Sequence, residues 1–212
     1  MTASPDLTGL AHDERADLLA LVRTLTPEQW AAPSLCTGWT VRDVVAHVIS
    51  FDDVSWLGVA SVALRGRFSF PRMNAVALRR YAGHQPAQLI DLLGRRLTAT
   101  GLPAGFHGAI ALTDALIHQQ DIRRPLGLPR EVPTERIVPA LDFALTSPTL
   151  PSRRQVDGLR LIASDANWAH GPTTGPRIEG PAEALLLAVA GRPASHADLT
   201  GPGVGVLQSR AG

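Results

Sequence analysis

The sequence predicts a mainly α protein: a bundle of four or more antiparallel helices in residues 1–150, followed by a small α+β unit in residues 151–212. Three observations carry the reading. Apolar residues recur at helical spacing through the first two thirds of the chain. Short connections rich in Pro, Gly and capping residues separate those stretches, as in helices that fold back on one another. After the Pro/Ser/Arg-rich segment 147–154 the pattern changes to short extended runs around one amphipathic helix.

The first helix is expected over residues 10–25, where Leu18, Leu19, Leu21, Val22 and Leu25 follow helical spacing and Asp13 and Glu14 favour the first turn. Thr26-Pro27-Glu28-Gln29 starts a short helix with proline at its first position. Thr40 caps a longer helix expected over 41–64, with Asp43 where a capping box places its acid. Residues 68–72 break the pattern, 74–81 reads as helical, and Pro86 opens a helix through 99. A loop bearing Gly101, Gly105 and Gly108 leads to a helix over 109–124, which Pro125 and Gly127 stop. Residues 134–145 form the last helix of the bundle. Beyond it, 159–162 is a strand candidate and 168–170 and 177–179 are weaker ones. Residues 181–190 form an amphipathic helix, and 204–208 is expected as a final strand. A unit of about sixty residues is near the lower limit for a self-sufficient core.

Composition narrows the function. With a net charge of +1 across 212 residues, nothing general favours nucleic acid or an anionic membrane as partner. Every basic residue is arginine and asparagine occurs only at Asn74 and Asn167, the bias of a GC-rich genome. Cys36 is the only cysteine, so neither an internal disulfide nor a cysteine-based zinc cluster can form. The N-terminal residues lack an apolar signal core, and the longest apolar stretch, 54–64, falls short of the ~20 residues that span a bilayer. A cytoplasmic protein is expected.

The chemistry gathers in ALTDALIHQQDIRRPLG. Asp114 and His118, four residues apart, share a helical face with Cβ atoms roughly 5–6 Å apart, so a carboxylate and an imidazole can reach one cation. His47, among Val44, Val45, Ala46, Val48 and Ile49, is the candidate third ligand, which would complete a facial set with open positions. Spacing alone describes equally well a solvated Asp114–His118 pair and a satisfied core histidine, and both readings stay open. Asp121 is placed to hold the second nitrogen of His118 or to pair with Arg123 or Arg124. Asp43, one turn before His47, is placed to hold that ring's second nitrogen or to serve the cap. His107 lies near the same stripe as a lesser candidate for a fourth ligand. Cys36 has no histidine beside it in sequence and reads as a structural thiol. Trp39 reads as fixing the path into the helix that Thr40 caps.

GWTVRDVVAHV, followed by DALIHQQDIRRPLG, resembles the mycothiol-dependent maleylpyruvate isomerase family, a branch of the DinB-like four-helix bundles. The run DGLRLIASDANWAHGPTTGPRIEGPAEALLLAVAGR resembles that family's C-terminal domain. The resemblance implies a divalent metal, Zn²⁺, held by His47, Asp114 and His118, with mycothiol as thiol cosubstrate. It also fits the GC-rich composition, because that thiol belongs to high-GC actinobacteria. The family carries glutamate where this chain has Asp114, one methylene shorter. It uses an arginine near the start of the helix after the first long one, for which Arg72 is the nearest candidate, with Arg79 and Arg80 close by.

The implied chemistry is deprotonation of the thiol beside the metal charge and attack of its sulfur on an electrophilic small molecule. Expulsion of the thiol after rotation gives cis–trans isomerisation; retention gives S-transfer. Two other readings remain: a metal that activates water in a hydrolase, and a non-catalytic metal-binding bundle in stress response or regulation. The oligomeric state, a homodimer included, is left open.

Overall fold

The computed structural model describes residues 5–52 and 54–210. The chain divides into two compact units, Met1–Pro129 and Arg130–Gly212. In the first, α1 (Thr8–Val22), α2 (Pro27–Ala31), α3 (Val41–Val48), α4 (Trp56–Arg65), α5 (Phe70–Leu78), α6 (Pro86–Gly94) and α7 (Ala109–Leu126) follow one another. Helix α1 lies along α7, α3 packs on α7, and α6 flanks both α1 and α3. Leu18, Val22, Val44, Val45, Ile49, Leu89, Leu93 and Ile122 form the core between them. Burying each such side chain contributes roughly 1.5–3 kcal/mol, which is what turns the apolar stripes inward.

Capping boxes set the starts of α2 and α3. Thr26 pairs with Gln29 at α2 and Thr40 with Asp43 at α3. The second places His47 in the last turn of α3.

The long helix expected over 41–64 is two helices, α3 and α4, separated by residues 49–55. Polar side chains in that stretch take other partners. Ser50 Oγ donates to the His47 carbonyl at 2.8 Å, and Ser55 accepts from Gly58 N at 3.2 Å, capping α4. Asp52 turns inward to Arg15, whose Nη1 donates to its Oδ1 at 2.8 Å, and its carbonyl accepts from Thr100 Oγ1 at 2.7 Å. Such side-chain bonds compete with the helix ladder. The chain of Gly101 passes so close to the Asp52 carbonyl that a Cβ there would sit 2.5 Å from it.

Helix α7 starts after Gly108, which is left-handed (φ 85°), and a Cβ there would meet Thr8 N at 2.8 Å. It closes at left-handed Gly127. Pro125 does not stop the helix but lies within its last turn. Lacking an N–H, it cannot bond the Asp121 carbonyl one turn back. That oxygen instead accepts from Leu35 N at 3.0 Å, tying the loop before α3 to α7.

The second unit holds α8 (Thr134–Thr146), α9 (Ser152–Val156), β1 (Arg160–Ala163), β2 (Ala169–His170), β3 (Arg177–Gly180), α10 (Ala182–Val189) and α11 (Val204–Arg210). The sheet order is β2-β1-β3, with β2 antiparallel to β1 and β3 parallel to it, Leu161 facing Ile178. The helix read as the last of the bundle, α8, packs on α10 instead, and Trp168 Nε1 donates to its Asp142 at 2.8 Å. The division of the chain therefore falls near residue 130, ahead of the proline-rich segment. The final strand expected over 204–208 is helical. One side of it, through Leu207, is buried, and Arg210 closes the turn onto the Gln155 and Asp157 carbonyls. No helix among the described residues is long and apolar enough to cross a membrane.

Candidate metal centre

The packing of α3 on α7 brings His47 to Asp114 and His118. His47 Nε2 lies 3.6 Å from Asp114 Oδ1, and His118 Nε2 lies 3.4 Å from the same oxygen. The two imidazoles meet edge to face, their centroids 4.7 Å apart. One ligand atom from each of the three residues falls within 4.8 Å of the others. Asp114 is the open side: its side chain is 29% exposed, against 10% for His47 and 9% for His118.

The electrostatics follow from that crowding. Burial alone would raise the Asp114 carboxyl, but the His118 charge and hydrogen bond, with those of His47, hold it well below the usual carboxylate range. Burial alone would lower His118, but Asp114, Asp121 and Cys36 together hold it well above the ordinary imidazole value. A doubly protonated imidazole facing a carboxylate is therefore the arrangement these residues adopt by themselves.

The far edge of His118 is equally constrained. Its Nδ1 donates to Asp121 Oδ2 at 2.8 Å, and Cys36 Sγ donates to that oxygen at 3.1 Å. Trp39 walls the site, its ring 5.1 Å from His47 and 6.5 Å from His118. Neither Cys36 nor Trp39 had a signal in the sequence that pointed here, because both reach the site only through the folding of a loop onto α7.

Other candidates fall elsewhere. Asp43 serves the cap: Oδ2 accepts from Thr40 N at 3.0 Å and from Thr40 Oγ1 at 2.7 Å, and Oδ1 faces Arg42 at 3.3 Å. Arg72 is exposed in the first half of α5. His107 is exposed in the loop before α7 and lies outside the cluster.

The donor set suits a divalent cation. Two neutral-capable imidazoles and one carboxylate are the ligands of catalytic zinc sites with a remaining open position. A carboxylate on the second nitrogen of a ligating histidine is the usual outer partner.

Residues 11–102 match the Mycothiol maleylpyruvate isomerase N-terminal domain. That segment of the chain is similar to the N-terminal domain of that family. It contains His47 and ends before α7, so Asp114 and His118 enter the site on geometry alone. Two crystal structures share the fold across both units. One is a histidine-to-alanine variant of the mycothiol-dependent maleylpyruvate isomerase, with a TM-score of 0.56. The other is the same enzyme without that substitution in its description, with a TM-score of 0.50. Each is 15% identical, with 92% of this chain and 90% of that chain covered. No curated protein matches. At that identity the structures establish a shared mainly α architecture with a small C-terminal α+β unit.

Proposed function

We propose that the protein is a metal-dependent enzyme that uses a low-molecular-weight thiol, mycothiol, to attack an electrophilic small molecule, as a cis–trans isomerase or a thiol S-transferase. The observation that carries the proposal is the convergence of His47, Asp114 and His118 within 4.8 Å, with the acid half-buried and the two imidazoles more deeply covered. His47, Asp114 and His118 would hold the cation, Zn²⁺ by its donor set. When bound, that cation supplies the positive charge that makes a coordinating thiol give up its proton.

The residues around it do the positioning. Asp121 fixes the His118 ring through Nδ1, leaving Nε2 directed at Asp114. Trp39 covers the paired imidazoles on one flank. The exposed edge of Asp114 marks the side from which thiol and substrate approach. Addition of the sulfur to an electrophilic carbon of a double bond turns it into a rotatable single bond. The electron pair of that bond passes to the neighbouring carbon; its return expels the sulfur and gives the isomer, whereas capture of a proton there leaves a thioether.

The test is a turnover assay on an unsaturated dicarboxylic acid. Activity is expected to require both mycothiol and Zn²⁺ and to vanish on chelation. Turnover of that acid without added thiol would overturn this reading.

A pH dependence follows as well. His118 is held protonated above its unfolded value of about 6.5. Its contribution to the metal-free fold is fully present below that pH and is lost as pH rises through the raised folded value. The metal-free protein is thus expected to lose stability toward alkaline pH. Zn²⁺ binding near neutrality is expected to release a proton from His118. Calorimetry in buffers of different ionisation enthalpy counts that proton; a release of zero would contradict it.

A further inference from the structure

Cys36 and Asp121 stand 85 residues apart in sequence, and their side chains meet behind the His118 ring. Cys36 Sγ donates to Asp121 Oδ2 at 3.1 Å, the same oxygen accepts from His118 Nδ1 at 2.8 Å, and Cys36 Sγ lies 3.8 Å from that nitrogen. Asp121 is 0% exposed, so protein donors must satisfy its carboxylate.

The loop that carries Cys36 is braced from within. Ser34 Oγ donates to the Trp39 carbonyl at 2.9 Å and accepts from Cys36 N at 3.1 Å. Trp39 N donates to the Cys36 carbonyl at 2.9 Å, closing a turn through left-handed Gly38 (φ 78°). Leu35 N occupies the Asp121 carbonyl left without its helical donor by Pro125. Residues 34–36 therefore grip Asp121 by both main chain and side chain.

We infer that Cys36 is a positioning residue for His118. Its thiol proton fixes Asp121 Oδ2, Asp121 fixes the imidazole through Nδ1, and Nε2 is left aimed at Asp114. The inference deepens the proposed function and rests on it for the metal, whereas the chain of hydrogen bonds exists without one. It also makes the chemical role of residue 36 specific: a hydroxyl in its place keeps the donor, and a valine keeps the volume alone.

The test compares Cys36→Ser with Cys36→Val, and Cys36→Ala as a smaller variant without the donor. The first readout is the low-field proton resonance of His118 Nδ1 in chelator-treated protein, identified by its absence in His118→Gln. The second is Co²⁺ affinity by absorption titration. Wild type and Cys36→Ser are expected to keep a slowly exchanging resonance; Cys36→Val and Cys36→Ala are expected to lose it. Co²⁺ affinity is expected to fall in the two variants without the donor, by less than the about 10–100-fold that losing Asp121 itself would cost, and to change little in Cys36→Ser. A resonance retained in Cys36→Val and Cys36→Ala, or a valine variant closer to wild type than the serine one, reduces Cys36 to packing and overturns the inference. Failure of wild type to bind Co²⁺ would instead remove the metal reading, and the resonance would still decide the role of Cys36.

Discussion

His118→Ala is expected to lower Zn²⁺ affinity by more than about 100-fold while leaving the helical content intact. Losing an outer partner of a metal ligand already costs about 10–100-fold. His118 is a proposed ligand and also the junction of the site, with Nε2 3.4 Å from Asp114 and Nδ1 2.8 Å from Asp121. Its truncation removes one nitrogen donor and unlocks the carboxylate behind it. Alanine is the best helix former, so α7 itself has no reason to unwind. Zinc content by mass spectrometry after dialysis, beside circular dichroism, reads both halves of the expectation. His107→Ala is the control, because that residue is exposed and outside the cluster. Equal zinc in His118→Ala and wild type would end the metal assignment.

Arg15→Leu is expected to lower stability by about 3–5 kcal/mol, the cost of stranding one partner of a buried ion pair. At roughly 2–4 °C per kcal/mol for a chain of this size, the melting temperature falls by about 6–20 °C. The side chains of Arg15 and Asp52 are both 0% exposed. Arg15 Nη1 donates to Asp52 Oδ1 at 2.8 Å and to the Arg96 carbonyl at 2.7 Å, and Nη2 donates to the Val48 carbonyl at 3.2 Å. One guanidinium thus binds the end of α3, the turn after it and the end of the α6 region. Burial already pushes the Asp52 carboxyl above its ordinary value, against the opposing pull of Arg15 and Thr100. Removing Arg15 pushes it further. A carboxyl raised in the folded state favours folding most when it is protonated, so the loss of stability should shrink as pH falls toward about 4. Adding Asp52→Asn to Arg15→Leu should restore part of the loss, since the amide oxygen still accepts from Thr100 N and carries no charge. Denaturant melts of the three proteins at two pH values check this; an Arg15→Leu protein that melts with wild type would show that the pair does not hold the turn.

The break after α3 shows why part of the fold was hidden. Residues 41–64 carry a nearly continuous helical pattern of apolar residues, and the interruption lies in Ser50, Asp52 and Ser55, ordinary polar residues whose partners are revealed only by the fold. Residues 204–208 show the opposite ambiguity, since a run this short fits a strand or a single-sided helix equally well. Helix α8 had the right boundaries and the wrong company, because periodicity states which face is apolar and not which neighbour covers it.

Residue order by itself determined everything that acts within a helical turn or two: the Thr26 and Thr40 caps, the inward faces of α1, α3 and α7, and the placing of Asp114 beneath His118. These depend on hydrogen bonds and spacings among neighbours, so local chemistry suffices. Only the tertiary structure decided that α3 lies on α7 with His47 3.6 Å from Asp114, that Arg15 reaches Asp52, and that Cys36 reaches Asp121. Those contacts join residues 37 to 85 positions apart. They are set by which apolar faces bury each other best across the whole bundle, a global choice that no local spacing encodes.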